Sequence, residues 1–205
     1  MRPSSVPAPA KRLVVASANP GKLSEFRRLL SGAPFDLTSL GELKLPSPQE
    51  TGATFLENAL LKARHAARLS GVGAIADDSG LEVDALGGAP GVYSARFAGA
   101  HADDGANNAK LVATLSALEQ LHEPWPARYR CVLVLMREAD DLAPLTAEGV
   151  WEGAIVARPR GRGGFGYDAH FWLPELGLTA AELDPEQKNR LSHRGAAWRA
   201  LRAQL

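Results

Sequence analysis

Apolar residues recur along the chain as short continuous runs that alternate with stretches of helical spacing. Residues 12–17 form a short apolar run, the pattern of a buried strand. Asn19 and Pro20 then suit an N-cap and a first helical position. Leu23, Phe26, Leu29 and Leu30 follow at helical spacing, and Gly32 stops the helix. Residues 35–39 predict a second strand, and residues 41–52, with Pro46 and Pro48, a loop. Thr54-Phe55-Leu56-Glu57 has capping-box spacing. The helix it opens carries Leu56, Ala59, Leu60, Ala63 and Ala67 on one face and Asn58, Lys62 and His65 on another. Residues 72–76 predict a third strand that ends abruptly at Asp77-Asp78-Ser79-Gly80, followed by a short strand or turn over 81–86.

Beyond the glycine-rich segment 87–91, residues 104–121 predict a helix. Residues 129–136 predict a strand central in a sheet, with 145–151 and 153–157 as its neighbours. A second glycine-rich loop spans 161–166 and a further β-like run 167–173. Asp184-Pro185 opens a C-terminal helical region, where Ser192 is a good N-cap and a break near Leu191 is expected. Strands alternating with helices predict an α/β fold on a mixed sheet. Residues 12–205 are expected to form one domain, behind a disordered leader of residues 1–11 rich in Pro, Ser and Ala.

Composition narrows the function. The 205 residues hold 23 basic and 23 acidic side chains, so the net charge is near zero. A whole-surface nucleic-acid binder would carry a large basic excess, so nucleic acid is not the expected partner, while a local basic pocket remains open. The single cysteine, Cys131, precludes an internal disulfide, fits a reducing compartment and reads as a core residue of an apolar strand. No apolar run approaches the roughly 18 residues of a membrane span, so no membrane partner is expected and the cytoplasm is the default location.

Four segments can carry chemistry. Ser17-Ala18-Asn19-Pro20-Gly21-Lys22 places a helix N-terminus and a lysine where an anion would bind, with Glu25 one turn on; taken alone, it reads more readily as a plain capped helix with an exposed lysine. It is not a Walker A loop, because Leu23 follows the lysine. Asp77-Asp78-Ser79-Gly80 suits Mg²⁺, a hard cation that prefers oxygen, or else an ordinary turn with surface acids. Neighbouring side chains on an extended chain point apart, so one aspartate is expected to face the site and the other to support the turn. Gly161-Arg162-Gly163-Gly164-Phe165-Gly166 matches the dinucleotide pattern but precedes a β-like run rather than a helix, so it reads as a loop delivering Phe165, Tyr167 and Asp168, or as a hairpin packing its aromatics inward. Lys188 and Ser192-His193-Arg194 gather donors at a helix start, or else form a basic solvated face.

In this order the segments resemble the inosine triphosphate pyrophosphatase family over about residues 13–201. The resemblance also rests on Glu50-Thr51-Gly52-Ala53-Thr54-Phe55, Glu57-Asn58-Ala59-Leu60-Leu61-Lys62-Ala63 and the run from Gly87 to Arg96. Two departures are Ala169, where proline is frequent, and Ser-Ala-Asn at the first segment, where Thr-Gly-Asn is common. The resemblance implies a long central mixed sheet in two lobes with a cleft between them, usually as a homodimer. It implies Mg²⁺-dependent hydrolysis of ITP, dITP and XTP to the monophosphate and diphosphate. By motif, residues 17–22 would hold phosphates, Glu50 and Asp78 would bind Mg²⁺, and Asp78 would also be the general base. Lys22, Lys62 and Glu25 would assist, and Ser79 would contact the substrate. Phe165, Gly166, Tyr167, Asp168, Lys188, Ser192, His193 and Arg194 would form the nucleoside end. The competing expectations are a Maf-like pyrophosphatase for other modified nucleotides and a nucleotide-binding regulatory module without turnover.

Overall fold

A computed structural model describes residues 11–17, 19–118 and 120–205. The first ten residues of the expected leader, and Ala18 of the first candidate segment, lie outside the described residues. Seven strands form one mixed sheet in the order β2-β1-β3-β4-β5-β6-β7. They are β1 (Lys11–Val15), β2 (Phe35–Ser39), β3 (Gly73–Val83), β4 (Trp125–Met136), β5 (Leu145–Ile155), β6 (Phe171–Leu173) and β7 (Leu178–Thr179). The helices are α1 (Pro20–Leu29), α2 (Phe55–Ser70), α3 (Asp104–Ser116), α4 (Pro185–Leu191) and α5 (His193–Arg202). Strand β1 pairs parallel with β2 and β3, and every later pairing is antiparallel. The two parallel pairs are joined through α1 and α2, as parallel neighbours require.

Both faces of the β1–β3–β4 centre are covered, which is why Leu13–Val15, Ala74–Ala76 and Cys131–Met136 read as short apolar runs. Leu13, Val15 and Leu133 pack with Phe26 of α1 and with Trp198 and Leu201 of α5. Val14, Ala74 and Val134 pack on the opposite face against Ala59, Ala63 and Ala67 of α2, whose small side chains admit the helix close to the sheet. Phe55 takes the buried position at the start of α2, and Leu56 is 41% exposed, contrary to its expected place on the apolar face. Gly149 of β5 is a site of close approach. A Cβ there would collide with the backbone of His193 and Ala197, so glycine is what lets α5 lie on the sheet.

Four boundaries differ from the sequence expectation. Strand β3 does not stop at Ala76 but continues through Asp77-Asp78-Ser79-Gly80 to Val83, pairing with β4 along its length. The two runs at 145–151 and 153–157 are one strand, β5, because Gly153 accommodates the ring of Phe171 rather than breaking the ladder. Residues 167–170 form a turn, with His170 N donating to Tyr167 O at 2.9 Å, and only Phe171–Leu173 is strand. Helix α3 also ends at Ser116, short of residue 121. Among the described residues, no helix is long and apolar enough to cross a membrane.

Candidate active site

The local caps form as expected. The Asn19 side chain accepts from Lys22 N at 3.1 Å, and Ser17 Oγ accepts from Asn19 N at 3.2 Å. Pro20, which has no N–H, occupies the first turn of α1, and Lys22 in the same turn lines the cleft. Thr54 and Glu57 complete a capping box that orients α2. Ser192 caps α5, accepting from Gly195 N at 3.3 Å, and this breaks the C-terminal region into α4 and α5.

Asp77 and Asp78 are adjacent in β3 and point to opposite faces of the sheet. Asp77 does not support a turn. It is 1% exposed and accepts from Arg194 Nη2 at 2.9 Å and Nε at 3.2 Å, while Lys22 Nζ lies 3.1 Å away. Ser79 Oγ donates to Asp77 at 3.0 Å and accepts from Arg194 at 3.0 Å. Arg194 also pairs with Glu25. Glu25 accepts from Lys188 Nζ at 2.7 Å, and Lys188 donates to Asp168 at 2.6 Å. Cations and carboxylates thus alternate from Lys22 through Asp77, Arg194, Glu25 and Lys188 to Asp168. Buried charges persist only when paired in this way. Burial pushes the Glu25 carboxyl up, but Arg194 and Lys188 overcome it and hold the group below the usual carboxylate range. At Asp168 burial prevails over Lys188 and the pKa rises.

On the other face of β3, Asp78 accepts from Lys62 Nζ at 2.7 Å and from Asn58 Nδ2 at 3.2 Å. Lys62 also donates to Glu50 at 2.7 Å, and Arg96 lies 3.3 Å from Glu50. Burial raises the Asp78 pKa despite Lys62 and Lys22. Asn58 Oδ1 accepts from Gly52 N at 2.8 Å, tying the Glu50 loop to the strand. Asn58 and Arg96 were not among the sequence candidates. The signal for Asn58 was its i, i+4 spacing with Lys62 on α2.

The carboxylates of Glu50 and Asp78 converge on one ammonium. Two hard oxygen donors held this close together, with lone pairs beyond those that Lys62 takes, fit a divalent cation such as Mg²⁺ bound beside the ammonium and keeping much of its own water. Among the described residues no group of three or more His, Cys, Asp and Glu side chains forms a metal cage. An ion held by this pair would therefore fill its shell with water and ligand oxygens.

At the far end of the cleft, Phe165 covers Lys188 Nζ at 4.7 Å and the Arg194 guanidinium at 5.9 Å. The buried His193 ring stacks on Tyr129, with centroids 4.7 Å apart and planes at 11°, and lies 6.3 Å from Trp151. One cavity runs from the start of α1 to this aromatic loop, lined by Asn19, Lys22, Ser79, Phe165, Lys188 and Arg194 among others, and Glu50, Lys62 and Asp78 are not part of its lining. Gly166 and Tyr167 also line it. Cys131, across the sheet from Gly149, is buried core as expected, and burial pushes its thiol up to about 12.

Burial, reinforced by Arg194 and Lys188, holds His193 neutral far below its ordinary pKa. Its Nδ1 has no hydrogen-bond partner among the described residues. The unfolded chain protonates this residue below about pH 6.5 and the folded one does not, so the unfolded state binds more protons and stability falls as pH falls. Each pH unit below that point removes up to about 1.4 kcal/mol through this residue. His193→Asn is expected to flatten the stability profile between pH 6.5 and 5 in urea unfolding. An unchanged slope would contradict the buried neutral state.

An α/β sheet with an ionic network on its central strand and an aromatic-edged cleft beside it defines a class: an α/β protein with a charged, ligand-sized cleft. A sequence model of the Ham1 family matches residues 13–204, and the chain belongs to that family. It is 55% identical over 195 residues to the dITP/XTP pyrophosphatase of Methylococcus capsulatus, covering 95% of this chain and 96% of that one. It is 56% identical over 210 residues to the dITP/XTP pyrophosphatase of Burkholderia pseudomallei, covering 100% and 98%. The solved structure of a HAM1 protein from Coxiella burnetii superposes with a TM-score of 0.85 at 45% identity, covering 95% of this chain and 98% of that one.

Proposed function

We propose that the chain hydrolyses non-standard purine nucleoside triphosphates, ITP, dITP and XTP, to the monophosphate and diphosphate with Mg²⁺ as cofactor. It is an enzyme of the nucleoside triphosphate pyrophosphatase kind, like its relatives at about 55% identity. The observation that carries the finer reading is one cavity whose lining includes both Lys22 at the capped start of α1 and Phe165 with Lys188. Such a cavity suits a ligand with a polyanion at one end and a flat base at the other. The same proposal places the enzyme in the cytoplasm as a homodimer.

In this mechanism Lys22, at the positive end of the α1 dipole, holds the phosphates, and Lys62 adds countercharge. Glu50 and Asp78 would hold Mg²⁺, which when bound would offset phosphate charge and acidify water. Water attacks the α-phosphorus, the bond to the bridging oxygen breaks, and diphosphate leaves. Asp78 takes the water's proton, and burial keeps its basicity above that of an ordinary carboxylate. At the base end, two of the three Lys188 N–H bonds are committed to Glu25 and Asp168, which leaves one for the purine 6-oxo oxygen. Adenine presents a 6-amino donor there, and stranding the ammonium costs about 1–3 kcal/mol. Glu25 thus serves this end by orienting Lys188 and Arg194.

The test is release of diphosphate with Mg²⁺ from dITP, XTP, dGTP, dATP and dUTP in parallel, with the nucleotide product identified. Fast release from dITP and XTP, with monophosphate as product, is expected. Nucleotide binding without release would overturn the proposal in favour of a regulatory module. Preferential release from dUTP would point to a different base specificity.

A further inference from the structure

The first turn of α3 reaches the aromatic loop. Asp104 Oδ2 accepts from Gly166 N at 2.6 Å, and Asn108 Nδ2 donates to Gly166 O at 2.8 Å. The two side chains stand one turn apart on the same helix face. Both polar backbone groups of one loop residue are therefore held by one helix. Asn108 Nδ2 also donates to Asp104 O at 2.8 Å, which joins the pair. Gly166 adopts φ of +61°, a conformation glycine reaches without strain, so the held peptide has a geometry few other residues would supply.

The neighbours of Gly166 are placed by this hold. Phe165 N donates to Asp168 Oδ2 at 2.9 Å, and Tyr167 Oη donates to Ser94 O at 2.7 Å. The Phe165 ring then lies over Lys188 and so close to α1 that a Cβ on Gly21 would sit 2.6 Å from its Cδ1. Four of the six residues from 161 to 166 are glycine, so without an external hold this loop would lose much conformational entropy on ordering around a ligand.

We infer that Asp104 and Asn108 are positioning residues for base recognition, clamping Gly166 so that the Phe165 ring presents a fixed face to the purine. The inference rests on the reading of this cleft as a nucleotide site. The clamp acts on the base end and touches none of the groups assigned to phosphate, metal or water. Its loss should therefore weaken binding of the nucleoside part and spare the chemical step.

The experiment compares wild type, Asp104→Ala, Asn108→Ala, the double variant and the conservative Asp104→Asn, which retains an oxygen able to accept from Gly166 N. The double variant is expected to raise the KM for dITP and the inhibition constant of inosine monophosphate about tenfold, the scale of one or two net hydrogen bonds. The kcat should stay within about threefold, as expected when binding alone is lost. Inhibition by inorganic pyrophosphate should be unchanged, and Asp104→Asn should behave as wild type. A merely structural role would weaken both inhibitors together or lower kcat, and either result overturns the clamp. Unchanged inosine monophosphate inhibition in the double variant, beside wild-type turnover of dITP, removes the clamp alone. Failure of the wild type to hydrolyse dITP or bind inosine monophosphate removes the reading of the site and the clamp with it.

Discussion

Asp78→Asn is expected to lower kcat by about a hundredfold to ten-thousandfold, the range set by loss of a positioned general base. The substitution keeps the side chain's shape but removes its charge and one acceptor. Asp78 now accepts from Lys62 on one oxygen and from Asn58 on the other. An amide can serve only one of these donors, because its nitrogen is itself a donor. Lys62 retains Glu50 as a partner at 2.7 Å, so no buried ammonium is left unpaired and the fold should persist. Thermal melting and single-turnover kinetics with dITP separate the two effects. Activity within tenfold of wild type would remove Asp78 from the chemistry.

Arg194→Met is expected to destabilise the protein by about 3–5 kcal/mol, the typical result of removing one partner from a buried ionic network. For a chain of this length that corresponds to a fall in Tm of roughly 10 °C. Arg194 is 1% exposed and is shared by Asp77, Glu25 and Ser79. Its removal leaves Asp77 with Lys22 and Ser79, and Glu25 with Lys188 alone. Adding Glu25→Gln should recover part of the loss, since it removes one of the two carboxylates deprived of a partner. A drop below about 1 kcal/mol, the scale of an exposed pair, would show that the network is solvated rather than buried. Acid should act in the same direction. The folded state holds the carboxyls of Asp77 and Glu25 below their usual pKa values. The stability they contribute is present above about pH 4 and is lost as pH falls through the folded values.

Both predictions turn on β3, where sequence and structure part most clearly. Adjacent aspartates followed by Ser-Gly carry the local signature of a turn, because unpaired charge does not belong in the centre of a sheet. What makes them strand is countercharge from far along the chain. Arg194 comes from 117 residues away, and Lys62 from the α2 face. Ser192, His193 and Arg194 read singly as a cap and a basic surface. In the fold, His193 lies in an aromatic stack and Arg194 under the cleft, because α5 crosses β5 at Gly149. The exposed Leu56 and the single strand β5 have the same origin, since burial and strand length were settled by what packs against them.

What the chain determined by itself is the part whose partners lie within a few residues. Asn19, Thr54, Asp184 and Ser192 each accept from a backbone N–H three positions on, so the starts of α1, α2, α4 and α5 follow from local hydrogen bonding. The apolar runs of β1 (Leu13–Val15) and β4 (Cys131–Met136) are legible as locally, as strands buried on both sheet faces. The ordered set of segments was enough for the family resemblance. Only the tertiary structure decided that Asp77 and Asp78 serve opposite faces of one strand, that Glu25 turns to Lys188 and Arg194, and that α3 holds the Phe165 loop. Each of these is a contact between groups 16 to 169 residues apart or a charge stabilised by such a contact. No local pattern encodes it, because its free energy arises only when the sheet has brought the partners together and excluded water from between them.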